Sequence, residues 1–383
     1  MAARDSARMN DGPAQPISVN TILLAAGAVL LLCLVCAAGF LIAQNIPFGA
    51  GNATRTALVE LFDTPFPTQA SGPQQTGAPG GTQGAVFPSP SPFPSATQGE
   101  ASPTPGETPP TPDWENPPPG QIVYTCFIDD NDDICLMNAD GSNPRRLTED
   151  PATDFYPSLS PDGQTVVFSS RRDGNFEIYS MFTDGSGLEK LTDNIGNLYA
   201  PAVSPNGQRI VFVRESGGRQ TLWIMRRDGG NVRPIRNGEE EIEGIDPTWS
   251  PDGELIAFGA FIGNNTQLAV ISVSGSIPQP VIPNGPAIGG RNTWSPDGSR
   301  LAFYAGPSGD RNIFVVDVDG DNLRQVTAGG DNLAPSFSPD GEWLAFTSYR
   351  DGNNEIYITR VDGSQPVRLT RNPYPEWQPR WGP

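Results

Sequence analysis

"TWSPDG" occupies residues 248–253 and recurs, letter for letter, at 293–298. Relaxed copies end at Gly163 ("SLSPDG"), Gly207 ("AVSPNG") and Gly341 ("SFSPDG"), and residues 380–383, "RWGP", spell the first half of the same unit. The shared prolines are Pro161, Pro205, Pro251, Pro296, Pro339 and Pro383, spaced 44, 46, 45, 43 and 44 residues apart. Six copies at one period are architecture rather than a single active site. "SPDG" also has the composition of a tight hairpin turn. Proline presets φ, aspartate tolerates the next position and glycine takes positive φ at the end.

The repeat from Pro339 reads "PDGEWLAFTSYRDGNNEIYITRVDGSQPVRLT". "LAFTS", "EIYIT" and "VRLT" alternate β-branched and aromatic residues, and "RDGNN" and "DGS" separate them as turns. The residue before each "SPDG" or its variant, namely Leu159, Val203, Trp249, Trp294, Phe337 and Trp381, closes a first strand. Four short strands per unit of this length predict a β-propeller blade. Residues 121–148 supply strands two to four of a unit, and residues 375–383 supply a first strand alone. Joined, they make a sixth blade and close the ring, which removes the unpaired sheet edges. The fold class expected is therefore all-β, a six-bladed propeller of four-stranded antiparallel blades over residues 120–383. On these motifs the chain resembles the TolB-type propellers, built from PD40, WD40-like repeats of the form "WSPDGxxLAFxSxRDGxxEIYxxxxDGxxxxLT". The clearest matches are residues 158–192 and 336–370; the repeat at 249–282 keeps fewer of the turn residues.

Composition changes before residue 120. Ile22 to Ala43 carries no charged or strongly polar side chain. At ~1.5 Å per residue it would span a bilayer as a helix, and it exceeds the roughly 7–15-residue core of a cleaved signal peptide. Arg4 and Arg8 precede it and Arg55 follows, so the positive-inside rule puts residues 1–21 in the cytoplasm and the propeller outside it. Residues 44–119 form a juxtamembrane segment and linker; 16 of residues 64–119 are proline and 13 are serine or threonine, which cannot build a core. Such a segment serves equally as a stalk or as a passive tether.

Charge and chemistry narrow the function. Residues 120–383 hold 35 acidic and 21 basic side chains, a net charge of −14. That balance excludes nucleic acid and disfavours direct docking on an anionic membrane surface. The chain has no histidine, which removes a Ser-His-Asp triad and imidazole metal ligands. "DDNDD" (129–133) and "DVDGD" (317–321) have Ile134 and Asn322 where a calcium loop needs its sixth-position glycine, and read as turns. No cofactor and no metal are expected. Cys126 and Cys135 flank a hairpin with its turn at Asp130-Asn131; facing each other directly, they would be within reach of a disulfide.

Strand direction alternates, so the "SPDG" turns share one face, and the strand-two to strand-three hairpins and the inter-blade loops share the other. Irregular loops on a rigid scaffold are where binding concentrates. That second face gathers Arg171, Arg172, Tyr349 and Arg350 from hairpins, and Tyr156, Tyr199, Arg291, Tyr374 and Trp377 from inter-blade segments. Tyr, Trp and Arg dominate binding hot spots. The expectation is a membrane-anchored, non-enzymatic module that binds an envelope or extracellular protein, a peptide or a glycan. The alternative is a carboxylate-based, glycan-acting enzyme working in the propeller channel. The resemblance implies an extracytoplasmic, partner-binding domain, without the separate N-terminal α/β domain of that family.

Overall fold

The computed structural model describes residues 117–283 and 285–383. The apolar stretch at 22–43 and the proline-rich residues up to 116 lie outside the described residues. Among the described residues no helix is long and apolar enough to cross a membrane.

Six four-stranded antiparallel sheets form the ring. Blade 1 is Gln121–Ile128, Asn131–Asn138 and Arg145–Arg146, with Glu376–Gly382 added as its first strand. Blade 2 begins with Asp154–Leu159 and Thr165–Asp173, blade 3 with Asn197–Val203 and Arg209–Ser216, and blade 4 with Gly244–Trp249 and Leu255–Ile262. Blade 5 begins with Thr293–Trp294 and Arg300–Ala305, and blade 6 with Asn332–Phe337 and Trp343–Ser348. The divergent fourth repeat is a complete blade. Every fourth strand is only two residues long. A ribbon of Arg236–Asn237 and Glu240–Glu241, which the repeat pattern did not announce, is inserted between blades 3 and 4, in the longest of the proline spacings.

The "SPDG" unit works as a turn through its side chains. In blade 2 the Ser160 hydroxyl donates to the Asp162 carboxylate and accepts from the Thr165 amide at 3.0 Å, while Asp162 also accepts from the Gln164 amide. Asn206 takes the aspartate's part in blade 3, accepting from the Ser204 hydroxyl at 2.8 Å. Gly163 has φ 67°, and a Cβ there would stand 2.9 Å from the Pro383 carbonyl oxygen. This position therefore requires glycine twice, for its dihedral and for the close approach of the neighbouring blade.

Six apolar clusters fill the six gaps between adjacent blades. The central residue of five second strands is phenylalanine, namely Phe168, Phe212, Phe258, Phe303 and Phe346, each wholly buried. Tyr124 holds the same place in blade 1. Closure follows the expected complement: Gln121 pairs with Gly382, Ile122 with Trp381 and Val123 with Arg380.

The cysteine hairpin differs in detail. Its turn residues are Asp129 and Asp130, both at positive φ, and Ile128 pairs with Asn131. Cys126 consequently opposes Asp133 and Cys135 opposes Tyr124. The two cysteines are a diagonal pair on one face rather than directly opposed, with Cα atoms 5.9 Å apart, and they form the disulfide. Two consecutive residues at positive φ make a two-residue turn, one position earlier than composition suggests.

Candidate functional site

The first strands line the central channel, and five of them share a local device. Tyr156, Ala200, Asp246, Ala334 and Gln378 each precede a proline and each have φ between 50° and 58°. The strand register shifts at these points, a bulge that turns the residue inward. Left-handed backbone at a non-glycine residue is uncommon and costs of order 1–3 kcal/mol, so five repeats of it mark a position held by its surroundings. Blade 5 departs, with Arg291-Asn292 where the others have their residue and proline.

These six positions line one cavity of about 720 Å³. Its wall is aromatic on one side. Phe155 packs 4.7 Å from Tyr156 and 4.7 Å from Phe176, and Phe176 packs 5.4 Å from Tyr199. Trp377 extends this wall, 6.5 Å from Phe127. Ile245, Leu333 and Tyr304 line it elsewhere.

Arg291 reaches from its own blade toward the opposite wall. Its guanidinium lies 4.9 Å from the centre of the Tyr156 ring and donates to the Gln378 carbonyl at 3.3 Å. Gln378 in turn accepts from the Tyr156 amide at 3.0 Å through its side-chain oxygen. Arg291 is only 4% exposed, and its Nε has no partner among the described residues. The buried Asp246 carboxylate accepts from the Arg291 backbone amide at 3.1 Å. Burial pushes the Asp246 carboxyl up and the Arg291 guanidinium down from their ordinary ranges. The other carboxylate on the lining, Glu215, accepts from the Tyr199 hydroxyl at 3.3 Å and from Asn197 at 3.4 Å. Among the described residues no group of three or more His, Cys, Asp or Glu is placed to hold a metal ion.

Of the residues singled out from sequence, Tyr156, Tyr199, Arg291 and Trp377 come together on this lining. Arg171 sits beside it, its guanidinium 5.7 Å from the centre of the Phe176 ring. Arg172 and Arg350 turn into their blades instead. Arg172 donates to the buried Asp154 at 2.9 Å and stacks 4.9 Å from Tyr179; Arg350 donates to Asn332 at 3.1 Å and stacks 4.6 Å from Tyr357. Tyr349 and Tyr374 are 52% and 49% exposed and lie off the cavity lining. Sequence reasoning missed Phe155, Phe176, Tyr304 and Gln378. The signal for the ring was present as the X-Pro step three residues before five of the six strand-ending aromatic or apolar residues.

The cavity opens on the hairpin and inter-blade face, since it is also lined by Val213, Gln220, Thr347 and Asn354 near the strand-two to strand-three hairpins. Residues 117–120 join at the other face. The Trp381 indole donates to the Pro119 carbonyl at 2.8 Å, and the Gly120 backbone abuts Gly382 and Pro339.

The family model of the TolB beta propeller domain matches residues 102–287 and 219–383. No curated protein matches the chain in sequence. Among solved structures it is similar to TolB from Acinetobacter baumannii, with TM-score 0.61 and 22% identity over 69% of this chain and 67% of that one. It is similar to a putative TolB from Agrobacterium tumefaciens, with TM-score 0.54 and 18% identity over 69% of this chain and 99% of that one. It is also similar to Kuenenia stuttgartiensis hydrazine synthase, with TM-score 0.55 and 19% identity over 68% of this chain and 46% of that one. At these identities the likeness is one of fold, and one fold hosts many activities.

Proposed function

The chain belongs to the TolB beta propeller domain family, and from that premise we propose that it is a membrane-anchored, non-enzymatic interaction module. The apolar residues 22–43 hold it in the membrane, the proline-rich linker spaces it away, and the propeller lies outside the cytoplasm. The aromatic-walled cavity then receives a segment of an envelope protein or peptide. One observation carries this reading. The cavity of about 720 Å³ opens on the face opposite the point where residues 117–120 enter the ring. A tethered propeller of this design presents its cavity away from its tether. Tyr156, Tyr199 and Trp377 are the side-chain types that act as anchors for a partner, and the strained inner-strand backbone presets their positions.

The test is capture from solubilised envelope by the full chain and by its Tyr199→Ala/Trp377→Ala variant. Loss of two aromatic anchors should weaken capture of a specific partner at least about thirtyfold. Equal capture by both proteins would place the partner on another surface. Placement outside the cytoplasm is checked separately: protease added to intact cells should cut the linker and release the propeller.

A further inference from the structure

A second cavity, about 310 Å³, opens on the "SPDG" face, opposite the aromatic one. Its inner ring is set by the residue two places beyond each channel-lining position described above: Ser158, Ala202, Thr248, Thr293, Ser336 and Arg380. Five of the six are small, and Arg380 carries the one charged side chain on the lining. No aspartate or glutamate lines this cavity, in a propeller with 35 acidic side chains.

Arg380 donates to the Asn292 carbonyl at 2.9 Å, and among the described residues no carboxylate stands within ion-pair distance of it. The charges that act on it are Arg291, of like sign, and Asp246, which offsets one of the two. Burial, with Arg291 nearby, draws the Arg380 guanidinium down to about 9, so it remains cationic at neutral pH. A half-buried guanidinium without an ion-pair partner is costly, and nothing in packing requires it, because the other five blades close the same position with serine, threonine or alanine. Of the hydroxyls around it, Thr293 donates to the Trp294 carbonyl at 3.4 Å, while those of Ser158, Thr248 and Ser336 donate to no acceptor among the described residues. Ser336, for example, accepts from the Trp381 amide at 2.9 Å, which leaves its own hydrogen available. A planar guanidinium fork on the same lining as hydroxyl donors matches an oxyanion.

We propose that this cavity is an oxyanion site, in which Arg380 pairs with a carboxylate or phosphate group and Ser158, Thr248 and Ser336 donate to its oxygens. The site is distinct from the partner cavity and stands whether or not that cavity takes a partner. Its occupant is small, because the ring leaves only about 310 Å³.

Calorimetric titration of the full chain at constant ionic strength tests it, with acetate, inorganic phosphate and chloride as the three probes. Acetate or phosphate should bind saturably, one to one, and raise the melting temperature; the tighter of the two identifies the class of group. R380Q should weaken that binding at least about tenfold, and R380K less, because a charge remains without the fork. T248V should weaken it about two- to fivefold. R380Q should melt no lower than the native chain when no oxyanion is present, since it removes an unpaired charge. Chloride binding as tightly as the oxyanions would overturn the oxyanion assignment. No saturable binding by any probe, or unchanged binding in R380Q, would overturn the site.

Discussion

Glu376 opens the closing strand and is 3% exposed. Asn372 donates to one of its carboxylate oxygens, and the other has no partner among the described residues. Burial, with the Glu355 charge adding to it, pushes the Glu376 carboxyl up to about 7. A folded-state pKa above the unfolded one favours the protonated form on folding. The stabilisation is therefore complete below about pH 4.5 and is lost as pH rises through about 7. Asp132 and Asp133, raised to about 6 chiefly by burial, act in the same direction. Thermal melts should show the fall between these limits. Glu376→Gln should remove part of it, leaving a shallower profile, with an effect of about 3 kcal/mol at most. A profile unchanged in E376Q would refute this reading of the residue. A second residue-scale device explains the threonine that ends four of the six repeats. Thr370 accepts from the Ile356 amide at 2.9 Å and donates to the buried Glu355 at 2.7 Å; Thr148, Thr192 and Thr327 accept equivalently from Ile134, Ile178 and Ile313. Thr370→Val keeps the shape and leaves a buried amide and a carboxylate short of a partner. It should cost about 1–3 kcal/mol by denaturant titration, whereas Thr370→Ser should cost less.

At the scale of the element, the Cys126–Cys135 hairpin shows how much a one-residue difference in a turn changes. The expected turn would have put the cysteines face to face; the observed one sets them diagonally, two residues out of register on one face. Parity kept both sulfurs on the same side of the strand pair, which is why the pairing survived the shift. The bond closes a short loop, so Cys126→Ser/Cys135→Ser should lower stability by about 2–3 kcal/mol, read from denaturant midpoints. The second strands make a comparable point about packing. Phe258 is wholly buried between blades, and Phe258→Ala should cost about 3–5 kcal/mol. The same strand keeps this phenylalanine even though blade 4 carries the least typical turns, because the inter-blade core constrains it more tightly than the turns constrain the loops.

At the scale of the whole molecule, stability depends on joining the two ends of the repeat array. Glu376–Gly382 pairs with Gln121–Ile128, and Trp381 belongs to the apolar cluster shared by blades 6 and 1. Removing residues 376–383 would expose the edge of Gln121–Ile128 and strip one wall from that cluster. Unfolding should lose its single cooperative transition, and the truncated protein should associate through the exposed edge, as sedimentation would show. Retained monomeric, cooperative unfolding would mean that the ring does not need its closing strand.

What sequence by itself determined is the periodic part of the protein: the repeat length, the four strands per unit, the split blade, and the pairing of Cys126 with Cys135. These are local or translational properties, and a turn or an alternating strand carries its signature in adjacent residues. It also named Tyr156, Tyr199, Arg291 and Trp377, because a rigid ring brings inter-blade residues to one face. The tertiary structure alone decided which arginines look inward to their own blades and which look into the channel. Arg172 and Arg350 each stand two residues after a serine, Ser170 and Ser348, and only the presence of Asp154 and Asn332 across the strand pair shows that they are spent internally. It alone brought Arg291, Arg380 and Asp246 into one another's fields, although they belong to three different blades. The physical reason is that a propeller is periodic along the chain, but its channel is made of residues a full repeat or more apart, whose mutual distances are set by closing the ring.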